Sequence, residues 1–430
     1  MKCMAHMASI WLIYRFAIDY LPKDRALLTS ILFVFNPMHE VTTYWYMTAP
    51  YILSPALIMY AHNLVRHRSY TKSLIFGVLG SFMGYMSPPY AFGLAIIFLV
   101  EKAYKKTLIF LAPGVAYVIY YFWIAGLHPA AEHRLQHNMT LGTWLRNCVV
   151  QVMSFFDSSI GPSFFLKIWW SINSIGLLSL CLAIIVCIVM FSNFRSQHRP
   201  IPTSLLWGLV AVLVLSFGMV SLADIYGNRI FNLGNRLSVY GALLMTFLVM
   251  SIPLSRKLMV VLAFAFVLPI FGLSDHWKSW NAHQETVIQK IKDNTELSQL
   301  GENDIVLVLG NMYSRLGPFS HIDFLSMPWV ITAIFQETVK TKAIMPLNTY
   351  AYVDGDRVVD PKSLVSIEIK KDFYLYDSES NRLEKFSTAE LPDILARRPL
   401  EIRHWIQLFK GTGVESVITY MSPRLSYIFR

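Results

Sequence analysis

SLLWGLVAVLVLSFGMVSL, Ser204–Leu222, runs nineteen residues without a charged side chain. A helix rises about 1.5 Å per residue and needs about 20 apolar residues to cross a bilayer, so this stretch reads as a membrane span. Comparable runs lie near 4–18, 26–36, 44–63, 73–86, 89–100, 107–126, 164–192, 238–253 and 257–273. Composition agrees, with 55% hydrophobic residues and 15% charged ones, well short of the charge that soluble domains carry. Pro88 and Pro89 in "SPPY" remove backbone donors and break a helix, so 73–86 and 89–100 are either two short spans or one re-entrant hairpin. The expected fold is a polytopic α-helical membrane protein of about 9–10 spans.

The acids divide the chain. Of 27 Asp and Glu, only Asp19, Asp24, Glu40, Glu101, Glu132, Asp157 and Asp224 precede residue 274. Two domains follow: a multi-span membrane domain over 1–273 and a polar domain over 274–430, long enough for one ordinary core. Lys and Arg mark alternate loops: Lys23 and Arg25, then Arg66, Arg68 and Lys72, then Lys102, Lys105 and Lys106, then Arg195 and Arg199, then Arg256 and Lys257. Such loops favour the cytoplasmic side. Loops 37–43, 127–163 and 223–237 and the C-terminal domain are therefore expected on the extracytoplasmic side, whether periplasmic, extracellular or lumenal. The N-terminus falls there too, as if an inbound helix preceded Met1. A signal peptide fits poorly, because Arg15 interrupts the first apolar run. Cys3, Cys148, Cys181 and Cys187 are scattered and suggest neither a disulfide framework nor a zinc site.

"MAHMASIWLIYRF" (4–16), followed by "LLTSILFVFNPMHEVTTYWY" (27–46) and the stretch that ends in "GYMSPPYAFGLAII" (84–97), resembles the early membrane region of GT-C glycosyltransferases. The nearest branches are the protein O-mannosyltransferases and bacterial lipid-glycan enzymes. The likeness covers about residues 4–100 and continues in outline, resting on hydropathy plus a few residues. It implies an inverting transfer of sugar from a polyprenyl phosphate to a glycan, lipid or protein acceptor. An acid in the first external loop acts as base, and cationic or amide donors hold the leaving phosphate. That first loop would lie before Met1.

Two external stretches supply the candidate site. In "NPMHE", Glu40 follows Pro37 and His39 just outside a span and becomes a supporting acid, or the fallback base if Met1 is the true start. His39 reads as an outer-mouth residue, more as an interfacial side chain than as a ligand. "DIYGNRIFNLGNRLSVYG" (224–241) carries two Gly-Asn-Arg units, and arginine offers bidentate contacts to phosphate. Its second unit resembles the family's Arg-Tyr segment at the lipid phosphate, which implies donor-phosphate contacts from Arg236, Asn235, Arg229 and Tyr240. The simpler alternative is that both arginines anchor to lipid headgroups, and it ranks second to the phosphate reading. Asp157 in "FFDSSIGPS" reads first as a turn or helix-ending residue and second as a site acid.

Within 127–163, "TWLRNCVVQVMSFF" places Trp144, Leu145, Cys148, Val149 and Val152 near one helical face, suited to lying in the interface. Glu132, His133 and His137 lack a third strong ligand and read as a solvated loop. No cofactor is specified, and a divalent metal is open but unsupported. In the C-terminal domain, "SWNAHQETVIQKIKDNTELSQL" reads as a helix and "DIVLVLG" as a buried strand. "SLVSIEIKKDFYLYDSESNRLEKFS" reads as two strands joined at "DSESN", and "ELPDILARR" as a helix, giving an α/β or α+β domain. Nothing indicates a nucleotide or nucleic acid, because the net charge of +10 reflects loop anchoring. The expected partners are a polyprenyl-phosphate sugar, its acceptor and membrane lipids. A catalytically silent relative that binds lipid-linked sugar, or a flippase or polymerase of lipid-linked glycans, are the alternatives.

Overall fold

The computed structural model describes residues 2–127, 139–193, 199–223, 230–361, 363, 365–369, 372–398 and 400–421. It parts into two compact units: Met1–Ile230 with Gly234–Asp275, and Phe231–Leu233 with His276–Arg430.

The first unit is helical. In order it contains α1 (Lys2–Ala17), α2 (Lys23–Val34), α3 (Val41–Tyr44), α4 (Pro50–Arg66), α5 (Tyr70–Phe82), α6 (Pro88–Val100) and α7 (Tyr104–Leu127). It continues with α8 (Leu141–Ser159), α9 (Pro162–Asn173), α10 (Leu177–Asn193), α11 (Thr203–Ser221), α12 (Val239–Ser251) and α13 (Arg256–Lys292), within which the unit boundary falls. Pro50, Pro88 and Pro162 each occupy a first helical position, where the missing N–H costs nothing and the fixed φ suits the helix.

Among the described residues, four helices are long and apolar enough to cross a membrane: α7, α11, the segment Leu233–Ser251 and α13. The bent pair α8 and α9, inclined by 42°, makes up to five. These point to a membrane protein. The remaining expected spans fold as shorter helices: α2, α5 and α6 have 12, 13 and 13 residues. The expected run 164–192 is broken, with α9 ending at Asn173 and α10 starting at Leu177. Asp275 holds that break by accepting from the Gly176 N–H at 2.7 Å and the Ser179 hydroxyl at 2.8 Å. Residues 257–273 and the helix expected after them form one element, α13, which runs on through Pro269 and Gly272.

Two helix ends show how the basic loops are built. Arg68 and Lys102 take left-handed backbones, at φ of 61° and 56°, two residues past the ends of α4 and α6. Ser69 N–H then reaches Leu64 O and Ala103 N–H reaches Phe98 O, closing paired Schellman turns without glycine. Arg25, fully buried in α2, donates from Nη1 to the carbonyls of Met250 and Ile252 at 2.7 Å each, satisfying the C-terminal end of α12.

Close helix contact runs through small residues. A Cβ on Gly93 of α6 would lie 2.5 Å from the backbone nitrogen of Val212 in α11, and one on Gly208 of α11 would meet the Ile97 side chain of α6. Packing of this kind lets backbones approach in apolar surroundings. Gly93→Ala is expected to lower stability by about 1–3 kcal/mol, because the obstructing atoms are backbone and cannot rotate aside. Thermal unfolding in nanodiscs checks this; an unchanged Tm contradicts it.

The second unit is α+β. It contains α14 (Thr295–Ser298), β1 (Ile305–Leu309), β2 (Tyr313–Leu316), β3 (Phe319–Asp323), α15 (Pro328–Phe335), β4 (Ala343–Pro346), β5 (Tyr352–Asp354) and β6 (Arg357–Asp360). It ends with β7 (Val365–Glu368), β8 (Phe373–Asp377), β9 (Arg382–Phe386), α16 (Leu391–Ala396) and α17 (Gly413–Met421). The main sheet has the order β4-β1-β8-β9, with β1 parallel to both neighbours. Central β1 is buried on both faces, which is why "IVLVL" reads as a continuous apolar run. Val306 and Val308 pack with Ile331 and Phe335 on one side, while Leu307 packs with Met345 and Phe373 on the other. The "DSESN" turn joins β8 to β9, with Asn381 in the left-handed region. The residues before β8 form β7 in a separate sheet, ordered β5-β6-β7, so the expected two strands are three.

Candidate functional site

In the first unit, "NPMHE" folds as a capped turn rather than an open loop. Asn36 Oδ1 accepts from Met38 N–H at 2.9 Å, starting a 3-10 turn over Pro37–His39 that leads directly into α3. Thr42 donates to His39 O at 2.8 Å and lies 2.9 Å from His39 Nδ1, so the imidazole carries its proton on Nδ1. His39 is fully buried, with its ring edge against Phe33. Burial pulls its pKa down to about 4, leaving it neutral at pH 7. It is an interior residue, not an interfacial one, because the Thr42 bond and Phe33 hold it inward.

Glu40 departs most from expectation. It is 2% exposed, and Oε2 sits 2.5 Å from the ammonium of Lys167, itself fully buried in α9. Asn235 Nδ2 donates to the other carboxylate oxygen at 2.8 Å, while Lys167 also donates to Ile230 O at 2.9 Å. Three distant segments thus meet at one buried ion pair. An unpaired carboxylate at this depth would be very costly, and lysine plus amide neutralise and solvate it. Glu40 is therefore no free acid at an outer mouth, and a base role for it is not supported by this geometry.

Asn235 and Arg236 lie in the 3-10 segment Leu233–Ser238, and the Glu40–Asn235 bond fixes that segment. Arg236 donates from Nε to Tyr51 OH at 3.2 Å, with its guanidinium 5.8 Å from the Tyr51 ring centre. Tyr51 and Tyr85 share a hydrogen bond through their hydroxyls. Tyr85 and Leu237 are in the wall of an apolar cavity of about 200 Å³, together with Pro88, Tyr117, Tyr121 and Met219. A cation and phenol hydroxyls thus adjoin an apolar chamber. A second apolar cavity, of about 420 Å³, is walled by α2, α9, α12 and α13 residues such as Leu32, Phe165, Thr246 and Phe266.

The other candidates fall elsewhere. Tyr240 is fully enclosed: its hydroxyl donates to Met86 O at 2.7 Å and its ring stacks on Tyr90 at 4.9 Å. That hydroxyl is committed to the fold, which removes Tyr240 from the phosphate-binding set. Asp157 accepts from Ser163 N–H at 3.2 Å across the α8 to α9 joint, a helix-capping task. In α8, Trp144 donates to Gly218 O at 3.0 Å while Leu145, Val149 and Phe156 are exposed. Arg229 and Asp224, and the loop residues Glu132, His133 and His137, lie outside the described residues. Among the described residues, no group of three or more His, Cys, Asp and Glu could hold a metal ion.

Lys167, Tyr51 and Tyr85 were missed by sequence reasoning. Lys167 left a signal, as the one charge within the apolar run 164–192. The two tyrosines left none, in a chain with 22 of them. No protein family, curated protein or solved structure matches the chain.

Proposed function

We propose that the chain is a membrane glycosyltransferase of the GT-C kind, which takes sugar from a polyprenyl phosphate and passes it to an acceptor on the extracytoplasmic face. One observation carries this reading: Arg236, joined to Tyr51 and through it to Tyr85, adjoins an apolar cavity lined by Tyr117, Tyr121 and Leu237. A polyprenyl phosphate is an anion on a long apolar tail. The guanidinium meets the phosphate charge that grows as the sugar departs, and the cavity takes isoprene units. The alternating Lys and Arg of the loops support about 9–10 crossings, counting the shorter helices within the bundle, with the C-terminal unit on the extracytoplasmic side.

In this reading Glu40 and Lys167 are positioning residues. Glu40 holds Asn235, and Asn235 sets the turn that presents Arg236. The base on the acceptor is unassigned. The engagement of Glu40 by Lys167 and Asn235 favours one second reading, a silent relative that binds the lipid-linked sugar without transferring it. Incubating the protein in nanodiscs with radiolabelled polyprenyl-phosphate mannose, glucose or N-acetylglucosamine and a membrane extract as acceptor separates the two. Label moving into acceptor supports transfer; donor bound without movement supports the silent relative; a donor that is neither bound nor consumed removes both.

A further inference from the structure

In the second unit, α15 turns Ile331 and Phe335 into the core and leaves Trp329, Thr332, Ala333 and Gln336 exposed. The spacing i, i+3, i+4, i+7 puts these four on one helical face. Trp329 is 62% exposed, unusual for a residue that is highly buried on average. Its face of α15 forms one wall of a cleft of about 510 Å³, whose other walls are Lys342 and Ile344 at edge strand β4 and Ser366 of edge strand β7. An adjoining cleft of about 520 Å³ shares Thr332, Gln336, Lys342 and Ile344 and continues past Lys340 to Glu302. The two form one groove with two lobes.

The polar side chains along it are uncommitted. Among the described residues, Thr332, Gln336, Lys340, Lys342 and Ser366 use no side-chain hydrogen bond or ion pair on the fold itself. Thr332 and Gln336 therefore lie beside the indole on one wall, Lys342 and Ser366 on the other walls, and Lys340 in the adjoining lobe. A pyranose ring matches that arrangement: its C–H face packs on an aromatic plane, and its rim of hydroxyls needs donors and acceptors together. The two ammonium groups outnumber the single Glu302 and favour a neutral or acidic sugar over a basic one.

We infer that the groove between α15 and strands β4 and β7 binds an oligosaccharide, with Trp329 as the stacking platform and Thr332, Gln336 and Lys342 as hydroxyl partners. This is independent of the transfer reaction proposed above, because it concerns a different unit and reads binding alone. The test uses the full chain in lipid nanodiscs, since alkyl-glycoside detergents carry sugar headgroups. Saturation-transfer NMR with mannotetraose, chitotetraose and tetragalacturonate is the readout. The expected result is transfer to at least one of them, weakened about tenfold by Trp329→Ala, with Trp329→Phe retaining most of the affinity. Gln336→Ala gives a smaller loss, and all three variants keep the wild-type Tm because the residues are exposed. No transfer to any of the three sugars, or an affinity unmoved by Trp329→Ala, overturns the inference. So does an extended peptide that pairs with the β4 edge and displaces the sugar without loss in Trp329→Ala.

Discussion

Replacing Lys167 with methionine lowers stability by about 3–5 kcal/mol, the cost of stranding a buried carboxylate without its partner. Glu40, at 2% exposure, loses an ammonium 2.5 Å away and keeps the Asn235 amide. The double variant Glu40→Gln with Lys167→Met is expected to recover most of that loss. Its glutamine carbonyl still accepts from Asn235, and neither charge of the pair is left without the other. Thermal unfolding of the wild type, both single variants and the double variant in nanodiscs closes the cycle. Additive losses would mean that the two side chains do not interact.

Arg236→Ala is expected to reduce sugar transfer by about 100- to 1000-fold, the range seen when a single donor to developing negative charge is removed. Tyr51→Phe should cost less, because it removes a hydroxyl that touches Arg236 but keeps the ring beneath the guanidinium. Arg236→Lys separates charge from geometry: the ammonium keeps the charge but lacks the planar fork, so partial activity indicates that directional contacts matter. Comparable activity in wild type and Arg236→Ala excludes this arginine from the phosphate contact. The stability of Arg236→Ala distinguishes a lost contact from a collapsed turn, since Asn235 continues to hold the segment to Glu40.

The sequence spoke clearly where one residue type in one pattern leaves one physical option. "IVLVL" between Asp304 and Gly310 reads as a buried strand and is observed as β1, and uncharged 204–222 reads as an apolar helix and is observed as α11. It was less clear where length decides: runs of 12 or 13 residues fold as helices that fall short of a full crossing by themselves. The paired Gly-Asn-Arg units drew notice to Asn235 and Arg236 because they are conspicuous in an apolar chain, but Asn235, expected at the donor phosphate, is buried with its amide on Glu40. Glu40 was noticed for the right reason, its rarity, yet its surroundings were invisible, since Lys167 is 127 residues away and their meeting is a tertiary fact. Tyr240 misled because an Arg-Tyr pair only four residues apart need not face one ligand. Its hydroxyl turns to Met86 while Arg236 turns to Tyr51.

The most direct test of the account is photo-crosslinking with a polyprenyl phosphate that carries a diazirine on an isoprene unit near the phosphate. If the phosphate rests at Arg236, Tyr51 and Tyr85 with its tail in the adjoining cavity, label appears on peptides containing Tyr117, Tyr121 and Met219. Unlabelled polyprenyl phosphate then competes it away, and Arg236→Ala loses it. Label spread over outward-facing residues such as Leu108 and Ile119, indifferent to competitor and to Arg236→Ala, would contradict the account.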